Sequence, residues 1–298
     1  MFRLYYRFFS PFDSFFKSLL SVLFLIIRSK YHTRIGKLKK ENKSHACYIM
    51  GNGPSLKKDI NGKLDQLASK TVFVVNLFCK SEMYDVLKPS YYILADKALW
   101  DNKGLKEASR VEVKRFMEIL NEKTTWPMKI LIPVEGYKKY RDYYRNNSSI
   151  EVIQYNKTAI DGFDFFKNWT YRNNLSMPAA QTVLNAAVFL AINLGFKEIN
   201  LLGADHSWHK NLYLREDNVL CLIDDHFYDK DKPAPTLINV NYSYEKTPKV
   251  HDELYSAGRA LESHHKLKNY ADSRNVTVFN CSSTTFIDAY ERKPFTIE

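Results

Sequence analysis

Short apolar runs that end in polar turns recur along the chain and predict the strands of a buried sheet. Runs rich in Val, Ile, Tyr and Leu, bounded by turn residues, are typical of such strands. The predicted strands are Ala46–Met50, Thr71–Val75, Tyr91–Ala95, Met128–Pro133, Ile150–Gln154, Lys197–Leu202 and Val276–Asn280.

Segments with helical spacing separate most of these runs: Lys80–Leu87, Gly104–Lys123, Tyr137–Asn146, Met177–Gly195 and Asp252–Arg274. Alternating strands and helices build an α/β fold, here a mostly parallel, Rossmann-like sheet with flanking helices. Residues 210–250 show few such patterns, which is typical of a lid or binding loop. We therefore expect one nucleotide-binding catalytic domain over 44–298, with a small lid insertion at about 207–250.

The first predicted strand runs into the turn Gly51-Asn52-Gly53-Pro54-Ser55. The two glycines would allow positive φ and a close approach of a ligand to the backbone. Asn52 would offer an amide, and Pro54 would start a helix that leaves the N–H of Ser55 free for an anion. The turn lacks the third glycine of a dinucleotide fingerprint and the Lys-Ser/Thr pair of a Walker A loop. It predicts a nucleotide-binding turn or, alternatively, a tight connection without a ligand.

Polar residues also follow the next two predicted strands, at Asn76 and Asp96. Ligands of open parallel sheets bind outside the carboxyl ends of the strands. We therefore expect Asn52, Asn76 and Asp96 to meet at one edge, although Asn and Asp are also common turn residues.

A second polar cluster, Gly203 to His209, follows the predicted strand Lys197–Leu202 and should face the same crevice. Asp205, His206 and His209 could bind a metal, but the spacing places no further protein ligand, so we predict no metal site. Thr182, in the helical block, and Ser282, in the turn after the last strand, complete the expected nucleotide-binding set.

The N-terminal residues 1–43 form a basic, aromatic arm and linker. Their longest uncharged run, Ser18–Ile27, has ten residues, whereas a spanning helix needs about 20. Aromatic residues mixed with Arg and Lys favour a helix in the membrane interface, held further by anionic lipid. A core helix with a basic linker is the alternative, and no nucleic-acid motif follows the arm.

Charge is concentrated in that arm. The chain of 298 residues has a net charge of +11, and residues 1–43 hold ten Lys or Arg and two Asp or Glu. The body therefore need not bind a polyanion, and nucleic acid is not an expected partner. The cysteines Cys47, Cys79, Cys221 and Cys281 lie far apart, which favours buried free thiols in a reducing compartment over disulfides.

Several of these blocks together resemble known families. Gly51-Asn52-Gly53-Pro54-Ser55-Leu56, the strand end Val75–Phe78, the block Leu194–Ile199 and the turn Gly203–Asp205 are similar to those of bacterial CMP-sialic-acid-dependent lipooligosaccharide sialyltransferases. The same blocks resemble the wider 6-hydroxymethylpterin diphosphokinase-like family. The sialyltransferase likeness implies metal-independent, inverting transfer from a CMP-sugar, with the nucleotide sugar as substrate and no cofactor.

The resemblance also implies roles for particular residues. Asn52 and Asn76 match nucleotide-contacting asparagines, whereas Asp96 stands in place of another asparagine. Asp205 matches an acid in its turn, and Tyr213 matches a tyrosine that contacts the leaving phosphate.

A second phosphate-contacting tyrosine of that family is replaced by Ser207, and His206, Trp208 or His209 could compensate. His251, after the lid, corresponds to the general base, and a neutral histidine suits that role near neutral pH. His264 and His265 are alternatives, although their mid-helix positions favour packing or surface roles.

The sequence thus predicts a glycosyltransferase that extends a cell-surface glycan or glycolipid, peripheral on the cytoplasmic face of the membrane. The alternatives are a diphosphokinase-like transferase and a non-enzymatic, membrane-bound nucleotide-binding protein. Whether the chain forms a homo-oligomer is left open.

Overall fold

The computed structural model describes residues 2–30, 33–42, 44–101, 103–223, 225–228, 234–238 and 248–296, with side chains from residue 11 onward. The aromatic side chains of residues 2–10, on which the interface prediction partly rests, lie outside that description. The strands in the described part are β1 (Ala46–Met50), β2 (Val72–Val75), β3 (Tyr91–Ile93), β4 (Met128–Pro133), β5 (Ile150–Tyr155), β6 (Glu198–Leu202), β7 (Leu212–Leu214), β8 (Leu220–Leu222), β9 (Thr236–Leu237), β10 (Thr277–Asn280) and β11 (Glu291–Arg292).

The helices in the described part are α1 (Phe2–Arg28), α2 (Ile35–Glu41), α3 (Leu56–Asp59), α4 (Leu64–Ala68), α5 (Met83–Leu87), α6 (Glu107–Lys123), α7 (Val134–Tyr144), α8 (Asp164–Arg172), α9 (Val183–Asn193) and α10 (Val250–Asp272). Short 3-10 turns occupy Phe78–Lys80, Lys97–Leu99 and Trp208–Asn211.

Eight of the strands form one sheet in the order β11-β10-β6-β1-β2-β3-β4-β5. Every described pair of neighbours in it is parallel. The predicted α/β fold is confirmed. The chain adds β2 through β5 on one side of β1 and then crosses back to place β6 on its other side. Such a reversal of strand order opens a crevice at the carboxyl ends of the strands.

Helices cover both faces of this sheet. One core cluster joins it to α2, α9 and α10, and the other joins it to α3 through α7. Every residue from Leu184 to Asn193 of α9 is buried, and α9 contacts β1, β2, β3 and β6. The alanines of α9 allow this close approach, as predicted. The four cysteines are buried and free, also as predicted.

The structure differs most from the predicted elements in two places. The helix expected from Met177 begins only at Val183, because Pro178 lacks a backbone N–H and Thr182 caps the helix. The segment 210–250, expected to carry little regular structure, contains the three-stranded antiparallel sheet β7-β8-β9. These strands are only two or three residues long, too short to give a clear alternating pattern.

The arm packs on the body along α1 and α2. Leu25 in α1 and Ile35 and Leu38 in α2 are buried. Among the described residues no helix is both long enough and apolar enough to cross a membrane.

Candidate functional site

A cavity of ≈ 490 Å³ lies at the carboxyl ends of β1, β2, β3 and β6. Its walls include the turn after β1, the residues that follow β2 and β3, the polar turn after β6, and the first turn of α9. This is the crevice that the reversal of strand order opens.

Eight of the predicted site residues line this cavity: Asn52, Gly53, Pro54, Asn76, Asp96, Thr182, Asp205 and His206. They are separated by up to 154 positions in the sequence, and the parallel strands bring them together. Six others do not line it: Gly51, Ser55, His209, Tyr213, His251 and Ser282.

The glycines of the first turn allow it to pack closely against the turn after β6. A Cβ on Gly51 would lie 2.3 Å from the carbonyl oxygen of Gly203, and one on Gly53 would lie 2.3 Å from Oδ1 of Asp205. Neither Gly51 nor Gly53 has a positive φ; the left-handed residues at this edge are Asn76, Gly203 and His206. The expectation of positive φ in the first turn is therefore wrong, and its glycines instead admit the neighbouring turn.

Ser55 binds a protein carboxylate at the position where an anion was expected. Its backbone N–H donates to Oδ2 of Asp205 at 3.0 Å, and its hydroxyl lies 2.6 Å from Oδ1 of Asp205. The same hydroxyl lies 2.9 Å from Asp59. Burial raises the pKa of Asp205, and nearby Asp59 adds to the rise. Ser282, also outside the cavity wall, accepts a hydrogen bond from the N–H of Ala204 at 2.9 Å.

Two amide oxygens at the cavity are left for a ligand. Oδ1 of Asn52 and Oδ1 of Asn76 are buried and have no hydrogen-bond partner among the described residues. Asn52 is oriented by its own amide N–H, which donates to the carbonyl of Val75 at 3.4 Å. Asn76 has a φ of 46°, a left-handed conformation that Asn tolerates better than most residues. Unpaired buried acceptors are costly, so both oxygens are suited to ligand N–H or O–H donors.

Positive electrostatic potential comes from two lysines and a helix end. Lys97 and Lys157 line the cavity. Burial lowers the pKa of Lys157, whose ammonium group donates to the carbonyl of Ala95 at 2.7 Å. Thr182 caps α9 in a reciprocal pair with Asn185. Thr182, Val183 and Leu184 line the cavity, so the N-terminal end of α9 faces it, and the helix dipole favours negative charge there. Lys157 was missed in the sequence, although it follows β5 as Asp96 follows β3.

A buried chain of two histidines and a tyrosine adjoins the cavity. Nε2 of His206 lies 3.1 Å from Nε2 of His264, and Nδ1 of His264 lies 2.9 Å from the hydroxyl of Tyr290. His206 has a φ of 51° and packs against Trp208 with ring centroids 4.4 Å apart.

Burial lowers the pKa of His206 to about 3. Burial, and then the neighbouring His206, lower the pKa of His264 well below its ordinary value. Both rings are therefore neutral near neutral pH. Sequence spacing could not pair them, since 58 residues separate the two positions.

The remaining predicted catalytic residues lie elsewhere on the described surface. His251 is in the first turn of α10, with its side chain 75% exposed and its Nε2 3.3 Å from Asp252. Tyr213 is an exposed residue of β7. The ring of His209 packs edge-on against Phe286, with centroids 4.1 Å apart.

Carboxylates are also present, but not as a metal-binding cluster. Asp96, Asp205 and Asp225 line the cavity. In the part of the chain that the structure describes, no group of three or more His, Cys, Asp or Glu residues could hold a metal ion.

Comparisons with known proteins point to one family. Residues 26–211, which include α2, β1 through β6 and most of the cavity wall, match the family described as 6-hydroxymethylpterin diphosphokinase MptE-like. No curated protein matches the sequence. A solved structure of the MAf glycosyltransferase from Magnetospirillum magneticum AMB-1 aligns with 84% of this chain at 16% identity and a TM-score of 0.47. The aligned region spans 33% of that chain.

Proposed function

We propose that this chain, which belongs to the 6-hydroxymethylpterin diphosphokinase MptE-like family, is a transferase. Its donor is a nucleotide-activated group that binds in the ≈ 490 Å³ cavity. One observation carries the proposal: among the described residues, the buried amide oxygens of Asn52 and Asn76 have no hydrogen-bond partner, and they lie at a cavity that the N-terminal end of α9 also lines. Such acceptors suit base or ribose donors, and the helix end suits a phosphate.

The transferred group that we propose is a sugar. The resemblance of the first turn and of the Gly203–Asp205 turn to CMP-sialic-acid-dependent enzymes supports a CMP-sugar donor and inverting, metal-independent transfer to a surface glycan. In such a transfer the acceptor oxygen forms the new bond to the anomeric carbon while the bond to the CMP phosphate breaks. The helix end and Lys97 stabilise the charge that develops on the departing phosphate.

The group that we propose for the acceptor proton is His206, in place of His251. His206 lines the cavity, whereas the exposed His251 does not. When Nδ1 of His264 donates to Tyr290, Nε2 of His206 donates to His264, and Nδ1 of His206 keeps a lone pair for the hydroxyl proton. An anionic donor nearby raises the pKa of His206 while it is bound, because opposite charge favours the protonated ring.

The family description itself favours a second candidate, a diphosphokinase that transfers a diphosphate from ATP to a pterin alcohol. That reaction releases AMP and uses Mg²⁺, which binds one or two carboxylates together with substrate phosphates. Asp96 and Asp225 line the cavity and could serve, whereas Asp205 already accepts from Ser55.

Nucleotide release distinguishes the two reactions. The full chain is incubated with CMP-, UDP- or GDP-sugars and membrane glycans, or with ATP and 6-hydroxymethylpterin, each in Mg²⁺ or in EDTA. We expect CMP release from a CMP-sugar in EDTA. Release of UDP or GDP would identify a UDP-sugar or a GDP-sugar as the donor. Release of AMP that requires Mg²⁺ and the pterin would favour the diphosphokinase. Absence of release from every donor would contradict both.

Two histidine variants separate the proton-accepting role from binding. His206→Asn, which tolerates the left-handed backbone, should keep donor binding and lose most CMP release. The matched variant His251→Asn should retain both. The opposite pattern would return the role of general base to His251.

A further inference from the structure

The face of α1 that packs on the body is small and polar. Among the described side chains, Ser21 and Leu25 of α1 and Ser29 directly after it are buried, at helical spacing. Ser21 donates from its hydroxyl to the carbonyl of Asp161 at 2.8 Å and accepts from the N–H of Asp161 at 3.1 Å. The hydroxyl of Ser18 accepts from the N–H of Phe163 at 3.0 Å. In the part of α1 whose side chains the structure describes, hydrogen bonds to one loop and the burial of Leu25 thus hold the helix.

Most of the remaining surface of α1 is apolar and exposed to solvent. Its large residues between 40% and 77% exposed are Phe12, Phe15, Phe16, Leu19, Leu20, Val22, Leu23, Phe24, Ile26 and Ile27. Phe165 and Trp169 on α8 are 75% and 56% exposed. We call these twelve residues the apolar patch. Ordinary water-facing helices show the reverse arrangement, with apolar residues toward the body, and a patch of this extent marks an interaction surface.

Basic residues accompany the patch. The arm of residues 1–43 carries ten Lys or Arg and two Asp or Glu. The guanidinium of Arg28 lies over the ring of Phe24 at 5.6 Å, and the side chains of Lys17 and Lys37 are 45% and 65% exposed. Lipid bilayers with anionic headgroups present the complementary pair of properties, apolar chains below negative charge.

We propose that the apolar patch lies in the headgroup region of an anionic lipid bilayer, with α1 parallel to the membrane plane. Charge decides between a bilayer and a second copy of the chain as the occupant. Packing two patches together would bring two strongly basic arms into contact, whereas anionic lipid neutralises each of them.

Membrane docking would also bring the ≈ 490 Å³ cavity close to the bilayer. A second cavity of ≈ 740 Å³ lies between α1 and the body, and its body-side walls include Ala159, Ile160, Pro178 and Ala179. Lys157, Gln181 and Thr182, only two or three positions away on the same two segments, line the first cavity. On the proposed function, on which this step rests, an acceptor carried by a lipid would reach the donor from the membrane side.

Vesicle flotation of the full chain tests the docking. The probes are vesicles of phosphatidylcholine alone and of equal parts phosphatidylcholine and phosphatidylglycerol. The double variant Leu19→Gln/Leu23→Gln changes the patch, and its matched control, Val86→Gln/Val111→Gln, changes two exposed valines on α5 and α6. Urea unfolding and circular dichroism establish that both variants fold like the parent.

We expect the parent chain to float with the anionic vesicles and less with the neutral ones. The patch variant should partition at least about tenfold more weakly, because two leucines no longer enter the bilayer, and the control should float like the parent. Flotation of the patch variant at the parent level, or no flotation of the parent, would overturn the proposal. So would a dimer that the patch variant dissociates without any change in flotation. Because flotation requires no donor, the docking and the proposed transfer fail independently.

Discussion

His206 and His264 share a hydrogen bond in the interior, where neither ring gains enough from its surroundings to stay protonated. In water a histidine titrates near pH 6.5, whereas burial lowers the pKa of His206 to about 3. The unfolded chain therefore binds protons between these two values that the folded chain does not bind. By linkage, the free energy of unfolding rises with pH through that interval and falls as the solution is acidified.

We expect the histidine contribution to the free energy of unfolding to be constant above about pH 6.5 and to decrease below it by up to about 1.4 kcal/mol per pH unit for each buried histidine. Urea titrations at a series of pH values measure this slope. His206→Asn removes one titrating ring and should reduce the slope by about half, whereas His251→Asn, at an exposed position, should leave it unchanged. Equal slopes for the parent and His206→Asn would show that the ring is not buried in its neutral form.

Ser55 illustrates how a residue predicted for a ligand is used by the protein. Its single hydroxyl proton cannot be donated at once to Asp59 and to Asp205, which lie 2.9 Å and 2.6 Å from it. One of the two contacts therefore needs a proton from the carboxyl group, and burial raises the pKa of Asp205 in that direction. The pair joins the turn after β1 to the turn after β6, so both cavity walls depend on it.

Helix α9 links the core to the cavity. Its buried residues pack on the sheet, and its first turn faces the cavity. The hydroxyl of Thr182 accepts a hydrogen bond from the N–H of Asn185, and the amide of Asn185 accepts from the N–H of Thr182. This reciprocal cap fixes the direction in which the remaining free N–H groups of the helix point.

Thr182→Ala should lower the free energy of unfolding by about 1 kcal/mol, because the helix loses its cap. It should also weaken donor binding, since the helix end becomes less ordered at the phosphate. Thr182→Ser keeps the hydroxyl and is expected to preserve both properties. Urea unfolding and nucleotide titration measure them, and an alanine variant as stable as the serine variant would argue against the cap.

Features that depend on local sequence could be predicted, whereas contacts between residues far apart in the chain could not. The strands of the main sheet are apolar runs with polar ends, so their positions could be read locally, and parallel strands necessarily bring Asn52, Asn76 and Asp96 to one edge. Contacts between distant residues could not be read in this way. Ser55 and Asp205 are 150 positions apart, and no spacing rule joins them.

The exposure of His251, at the start of α10, could not be predicted from the sequence either. Chain order places it after the lid segment, but the direction of the first turn of α10 depends on how that helix packs. That packing buries His264 in the middle of α10 and leaves His251 exposed.

The whole molecule combines a sheet edge that forms a polar cavity with an arm that presents an apolar, basic surface. The cavity opens where the connections of the sheet reverse around β1. Two chain segments, 157–160 and 178–182, contribute to the walls of both this cavity and the cavity beneath α1. This arrangement fits transfer from a water-soluble donor to an acceptor held at a membrane, and its central claim is that the cavity binds the nucleotide.

Calorimetric titration of CMP into the full chain in EDTA tests this claim most directly, with Asn52→Ala as the cavity variant and Asn61→Ala, at an exposed position, as its matched control. We predict saturable binding by the parent and the control, and binding about tenfold weaker in Asn52→Ala, because one buried acceptor is lost. Equal affinity of the parent and Asn52→Ala would contradict the account. So would binding of ATP with Mg²⁺ in place of CMP.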